Sequence, residues 1–170
     1  MCPPLGSQSA AWHTAGRDRS AGVVLLRAEG KGFNAGVDIK EMQRSEGFGA
    51  LAAAPLLCGG TIGYRSLHIT GIDLADCHGT RLGLYGFGAS ATCVIQLAVH
   101  AGCEVFVVTR SAAEQRRARS LGATWTGDSD ARPPLPLDAA ITFAPVGSAV
   151  VAALGALDRG GTVAINAIHL

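Results

Sequence analysis

The chain predicts an α/β domain built on a doubly wound parallel sheet, and three observations carry that expectation. Short apolar runs alternate with segments whose apolar residues recur at helical spacing. Between one such run, Leu82 to Tyr85, and the helical segment after it stands Gly86-Phe87-Gly88-Ala89-Ser90-Ala91. A second run, Glu104 to Val108, follows at the length of one β–α–β unit and is bounded by turn residues, as a buried parallel strand is.

The glycine stretch matches the dinucleotide fingerprint G-x-G-x-x-G/A with Ala91 in the third place. Gly86 permits the tight strand-to-helix turn, Gly88 lets a pyrophosphate approach the backbone, and Ala91 lets the helix lie close to the sheet. The following helix aims its free N–H groups and the positive end of its dipole at that phosphate. Gly86, Gly88, Ala89, Ser90 and Ala91 are therefore candidate cofactor-binding residues. The bland alternative is an ordinary turn whose glycines serve packing alone. Strand, glycine turn, helix and strand in succession favour the nucleotide.

Taken in order, residues 1 to about 20 are polar and irregular, Val23–Leu26 is a strand candidate, and Phe33–Met42 is a glycine turn entering a helix with Asp38 as a possible cap. Thr61 to His68 predicts a helix with Ile62, Tyr64 and Leu67 available for packing, and Ile69 to Thr80 a loop. Ala91, Val94, Ile95, Ala98 and Val99 form a helical stripe that stops at Gly102. After the second strand, Ala118 and Leu121 face inward, Arg116, Arg117 and Arg119 form a solvated face, and Gly122 ends the helix. Ala123–Trp125 predicts a short third strand, and Gly127 to Pro136 a polar, proline-rich loop. Leu137–Phe143 predicts the fourth strand, then a helix with Val150, Val151, Leu154 and Leu157 on one stripe. Asp158–Gly161 reads as a turn and Thr162–Ile165 as the fifth strand. The implied fold is a Rossmann sheet of order 3-2-1-4-5, with right-handed crossovers placing helices on both faces.

Composition bounds the function. A net charge of +1 gives no reason to expect nucleic acid or an anionic membrane as a partner. No run reaches the length of a membrane span, and the first residues lack the basic start and apolar core of a signal peptide. Five cysteines, an odd count without a C-x-x-C pair, suggest reduced thiols in a cytoplasmic protein, with Cys93 and Cys103 as buried packing residues. Cys77-His78 reads as structural or neutral.

The end of the second strand bears on cofactor type. An acid about 20 residues past the glycines binds the ribose hydroxyls of NAD. Here stand Thr109, Arg110 and Ser111, a guanidinium and two hydroxyls suited to the 2′-phosphate of NADP, so NADP is favoured over NAD. Arg110 also reads as a solvent-facing loop charge. Ser111-Ala-Ala-Glu114 also reads as a capping box, and both roles can coexist. The missing acid argues against a methyltransferase.

From Ala54-Pro-Leu-Leu-Cys-Gly-Gly-Thr-Ile-Gly-Tyr-Arg-Ser-Leu67 to the end, the chain resembles the cofactor half of zinc-type medium-chain alcohol dehydrogenases. The resemblance implies NAD(P)-dependent hydride transfer between an alcohol and an aldehyde or ketone, with zinc polarising the substrate oxygen. It makes Cys58 a zinc ligand and puts Val146, Ala167 and Ile168 near the nicotinamide. The family's other zinc ligands, a Cys and a His-Glu pair, have no counterpart, and His13, His68 and His78 lack ligand spacing to Cys58. Val23 to about Phe48 is similar to a piece of the crotonase superfamily, in which the N–H of Val37 would join an oxyanion hole; that family's second donor and glutamates are absent. The implied division is a segment 1–53 with the crotonase-like fragment and an NAD(P)-binding domain 54–170. The sheet is expected to be cut short at its C-terminal edge and prone to self-association. Three functions compete: the dehydrogenase, a dinucleotide-binding remnant of a gene fusion without catalysis, and remotely a CoA-thioester enzyme.

Overall fold

A computed structural model describes residues 56–166. The strands are β1 (Arg81–Tyr85), β2 (Glu104–Val108), β3 (Trp125–Gly127), β4 (Leu137–Thr142) and β5 (Leu157–Ile165). They form one parallel sheet in the order β3-β2-β1-β4-β5, the order expected from the sequence. The helices are α1 (Thr61–Ile69), preceded by a π-helical turn at Leu56–Gly60, α2 (Ala89–His100), α3 (Ala112–Ser120) and α4 (Gly147–Ala156).

The strands are apolar on both sides because both faces of the sheet are covered. Leu82, Leu84, Val105 and Val107 point to one face, where they meet Ala91, Val94, Ile95 and Ala98 of α2 and Ala118 of α3. Tyr85, Phe106 and Val108 point to the other, where Ala153 and Ala156 of α4 close the second core. Glycines at positive φ end α2 and α3, Gly102 at 96° and Gly122 at 99°. At the foot of β1, Arg81 is held by Asp138, Nε to Oδ2 at 3.2 Å, with Asp158 beside it.

Several expectations need correction. β3 begins at Trp125, two residues later than the apolar pattern suggested, because Phe106 of β2 pairs with Trp125. The buried side of α4 is Ala153 and Ala156, whereas Val151 is 70% and Leu154 40% exposed. Hydrophobicity misassigned that stripe: the alanines face the second core, and Val151 and Leu154 turn outward. On α1, Leu67 is buried but Tyr64 is exposed, because Gly63 and Ser66 share the inner face with Leu67. The turn Asp158–Gly161 is absorbed into β5 as an irregularity, since Leu137 pairs with Leu157 and Ala139 already with Thr162. The strand and turn expected over 23–42 lie outside the described residues.

The cysteines also depart from expectation. Cys77, in the loop before β1, and Cys103, just before β2, form a disulfide with a Cα–Cα distance of 5.2 Å. The register Arg81↔Glu104 brings the two strand starts side by side, which an odd count of cysteines could not reveal. The cysteine-based reason for a cytoplasmic setting therefore falls away. Cys93 is half-buried, not packed in the core. Among the described residues no helix is long and apolar enough to cross a membrane.

The disulfide closes a loop with a sequence separation of 26 around β1 and α2. Closing a loop of that length restricts the unfolded chain and stabilises the fold by about 3 kcal/mol. Urea unfolding with and without reductant checks this: reductant lowers the midpoint of the natural chain and leaves Cys103→Ala unmoved. Equal midpoints would mean that the bond contributes nothing.

Candidate functional site

The site is built where β1 gives way to α2. Gly86 takes a φ of 89°, a conformation that side chains other than glycine rarely adopt. A Cβ there would stand 2.9 Å from the backbone N of Ala144. The closeness has a cause: the carbonyl of Tyr85 accepts from the N–H groups of Phe143 (2.8 Å) and Ala144 (3.1 Å) beyond β4. Gly86 itself donates to the carbonyl of Val108 at 2.8 Å, so the ends of β1, β2 and β4 are tied together at one turn.

Gly88 differs from Gly86. Its backbone is extended and a Cβ on it would meet nothing within 4 Å. Protein packing therefore does not require this glycine; its bareness leaves space in front of the helix. Gly88 also offers no side chain to cap α2, and no acid sits in the first turn, so the leading N–H groups and the positive dipole end stay available. Ala91 is fully buried against the sheet, as the third fingerprint position demands. On the outer side α1 locks the turn, with a Cβ on Gly63 meeting the Ser90 carbonyl and Val94 at 3.0 Å.

These residues line a cleft of about 2140 Å³ above the carboxyl ends of β1, β2 and β4, where the strand order reverses. Gly86, Gly88, Ala89, Ser90 and Ala91 share it with Thr109, Arg110 and Ser111 from the end of β2 and Val146 from the start of α4. Ala167 and Ile168 lie outside the described residues. Thr109 is buried; its N–H donates to the Gly127 carbonyl at 2.9 Å, and its own carbonyl accepts from Gln115 Nε2 at 2.8 Å. Arg110 is exposed at the rim.

The capping box is half realised. Ser111 Oγ accepts from the N–H of Glu114 at 3.3 Å, as expected of an N-cap. The Glu114 carboxylate, however, accepts from the hydroxyl of Thr109 and lines the cleft. The sequence reading missed this residue as part of the site. Its spacing from Ser111 gave it a full local role, and the alternative partner lies two residues further back at the strand end.

Cys58 is exposed and lines the same cleft, beside Leu57 and Ile62. Among the described residues no three His, Cys, Asp or Glu side chains are grouped to hold a metal ion. The described donors therefore do not by themselves fit a zinc site. Tyr85 borders the cleft but belongs to the core beneath α4. Burial pushes its phenol up to about 12, against a smaller opposing effect of the Arg132 charge, so it stays protonated at neutral pH.

An all-parallel 3-2-1-4-5 sheet with a positive-φ glycine turn at its switch point defines a Rossmann-like unit. Known proteins narrow this further. The chain is 53% identical over 124 residues to a probable alcohol dehydrogenase of Mycobacterium tuberculosis, a match covering 73% of this chain and 35% of that relative. The structure of CAD from Helicobacter pylori complexed with NADP(H) superposes with a TM-score of 0.60 at 28% identity, over 68% of this chain and 32% of the other. A shorter match, 64% identical over 44 residues, is to a methyl-dioxo-hexahydroindene-carboxyl-CoA hydrolase of Rhodococcus jostii, over 26% of this chain and 17% of the hydrolase. No model of a known protein family matches the chain. The chain is thus homologous to alcohol dehydrogenases, spanning about a third of the length of the first of these relatives, and carries a short additional likeness to crotonase-family CoA hydrolases.

The two glycines separate by experiment. Gly86→Val forces a strained φ and a backbone clash, and lowers stability by about 1–3 kcal/mol in chemical denaturation. Gly88→Ala leaves the denaturation midpoint within about 0.5 kcal/mol of the natural chain. Equal losses from both variants would contradict this division of roles.

Proposed function

We propose that the chain is the cofactor-binding part of an alcohol dehydrogenase-like oxidoreductase and binds a dinucleotide in the cleft above Gly86 and Gly88. The observation that carries this reading is the meeting of two features in one cleft: the uncapped α2 start behind a bare Gly88, and Thr109-Arg110-Ser111 at the end of β2. The pyrophosphate lies on the N–H groups of Ala89, Ser90 and Ala91, held by hydrogen bonds and the helix dipole. The adenosine ribose lies toward Arg110, whose guanidinium favours NADP(H) by charge-assisted hydrogen bonds to a 2′-phosphate. The nicotinamide lies toward Val146 and, outside the described residues, Ala167 and Ile168.

In the reaction proposed, hydride moves between the carbinol carbon of an alcohol and the nicotinamide, giving an aldehyde or ketone, while a proton leaves the hydroxyl. The cleft would orient the nicotinamide and keep water from the hydride path. No step is routed through zinc, because the described residues offer Cys58 without a metal-holding group around it. That same observation favours a second reading, a dinucleotide-binding module without turnover. The proposed division is a crotonase-like segment at 1–53 and a dinucleotide-binding domain at 54–170. Self-association through the β5 edge of the sheet is part of the proposal.

Parallel titrations with NADPH and NADH, followed by cofactor fluorescence with light scattering alongside, test the reading. The expected result is saturable binding by an associated species, with NADPH affinity falling about 5- to 30-fold in Arg110→Ala. Failure of a folded chain to bind either cofactor would refute the site. A monomer throughout would refute the self-association.

A further inference from the structure

The wall at the end of β2 carries a charge whose place the sequence pattern hides. Three charged residues of the described chain line the cleft: one cation, Arg110, and two acids, Glu114 and Asp130. Glu114 is not neutralised locally, since the ion pairs among the described residues all involve Arg81. Nor is it loose. The buried Thr109 donates its hydroxyl to Oε2 of Glu114, and the N–H of Glu114 donates to Ser111 Oγ. Both ends of the residue are therefore tied to the two neighbours of Arg110.

Resting on the proposed dinucleotide site, we propose that Glu114 is a specificity-determining residue that opposes Arg110 and makes the cleft accept NADH as well as NADPH. A ribose with a free 2′-hydroxyl presents a donor, and a carboxylate fixed beside it is an acceptor already in position. A 2′-phosphate brings instead about −1.5 to −2 of charge and no donor toward the same oxygen atoms. Arg110 attracts that phosphate while Glu114 repels it, and the acid also takes up part of the guanidinium's field. The acid usual for NAD at the strand end is thus supplied from the first turn of α3, five residues beyond Thr109 in the sequence.

The test is the ratio of NADH to NADPH dissociation constants, measured on one preparation of each protein so that any inactive fraction cancels. Glu114→Gln keeps an acceptor for Thr109 and removes the charge. It shifts the ratio about tenfold toward NADPH. Glu114→Lys shifts it further in the same direction, while circular dichroism checks that both variants keep the fold. An unchanged ratio in both variants, with both cofactors still bound by the natural chain, overturns the role of Glu114 and leaves the binding site standing. Absence of binding to the folded natural chain overturns both together.

Discussion

The turn at Gly86 is the constraint on which the rest of the molecule depends. One carbonyl, that of Tyr85, receives the chain leaving β4, and the next N–H, that of Gly86, reaches across to the end of β2. Three strand ends are fixed relative to one another by these bonds, and the backbone of Ala144 comes so close that no side chain fits between. The direction of α2 follows, because the chain leaves Gly86 at positive φ and enters the helix three residues later, at Ala89. The cleft exists because β1 is flanked by β2 on one side and β4 on the other, with the connecting helices covering opposite faces.

Much of this was legible in the sequence because it rests on local rules. The first two strands, the helix between them and the glycines at their ends obey period, turn chemistry and cap preference over short distances. The glycine fingerprint marks the switch point because Gly86 answers to a backbone requirement and Ala91 to close packing, while Gly88 leaves the helix start bare. What escaped the sequence depends on partners distant in the chain or on how elements are set against one another. The inner face of α4 is Ala153 and Ala156, set by how the helix is rotated on the sheet, which hydrophobicity alone does not report. Cys77 and Cys103 meet because two parallel strands start level. Glu114 satisfied a local capping pattern so well that its contact with the strand end was invisible.

The candidate site divides along the same line. Nine residues expected at the cofactor come together in one cleft, from Gly86 to Val146. Cys58 joins them there, yet the described residues place no group of metal donors around it. Binding and chemistry thus stand on different footing: the residues proposed for the dinucleotide line one cleft, while the described residues hold no group of metal donors beside it. The chain's likeness to an alcohol dehydrogenase extends over 124 residues and its likeness to a CoA hydrolase over 44.

The most direct measurement of the central claim is a hydrogen-exchange footprint of the chain with and without saturating NADPH. A dinucleotide held at this switch point protects amides at the start of α2, Ala89 to Ala91, and at the end of β2 from Thr109 to Ser111. The foot of the sheet around Cys77 and Cys103 is left unchanged. Protection confined to other regions, or none at a saturating concentration, would contradict the placement of the nucleotide at the Gly86 turn.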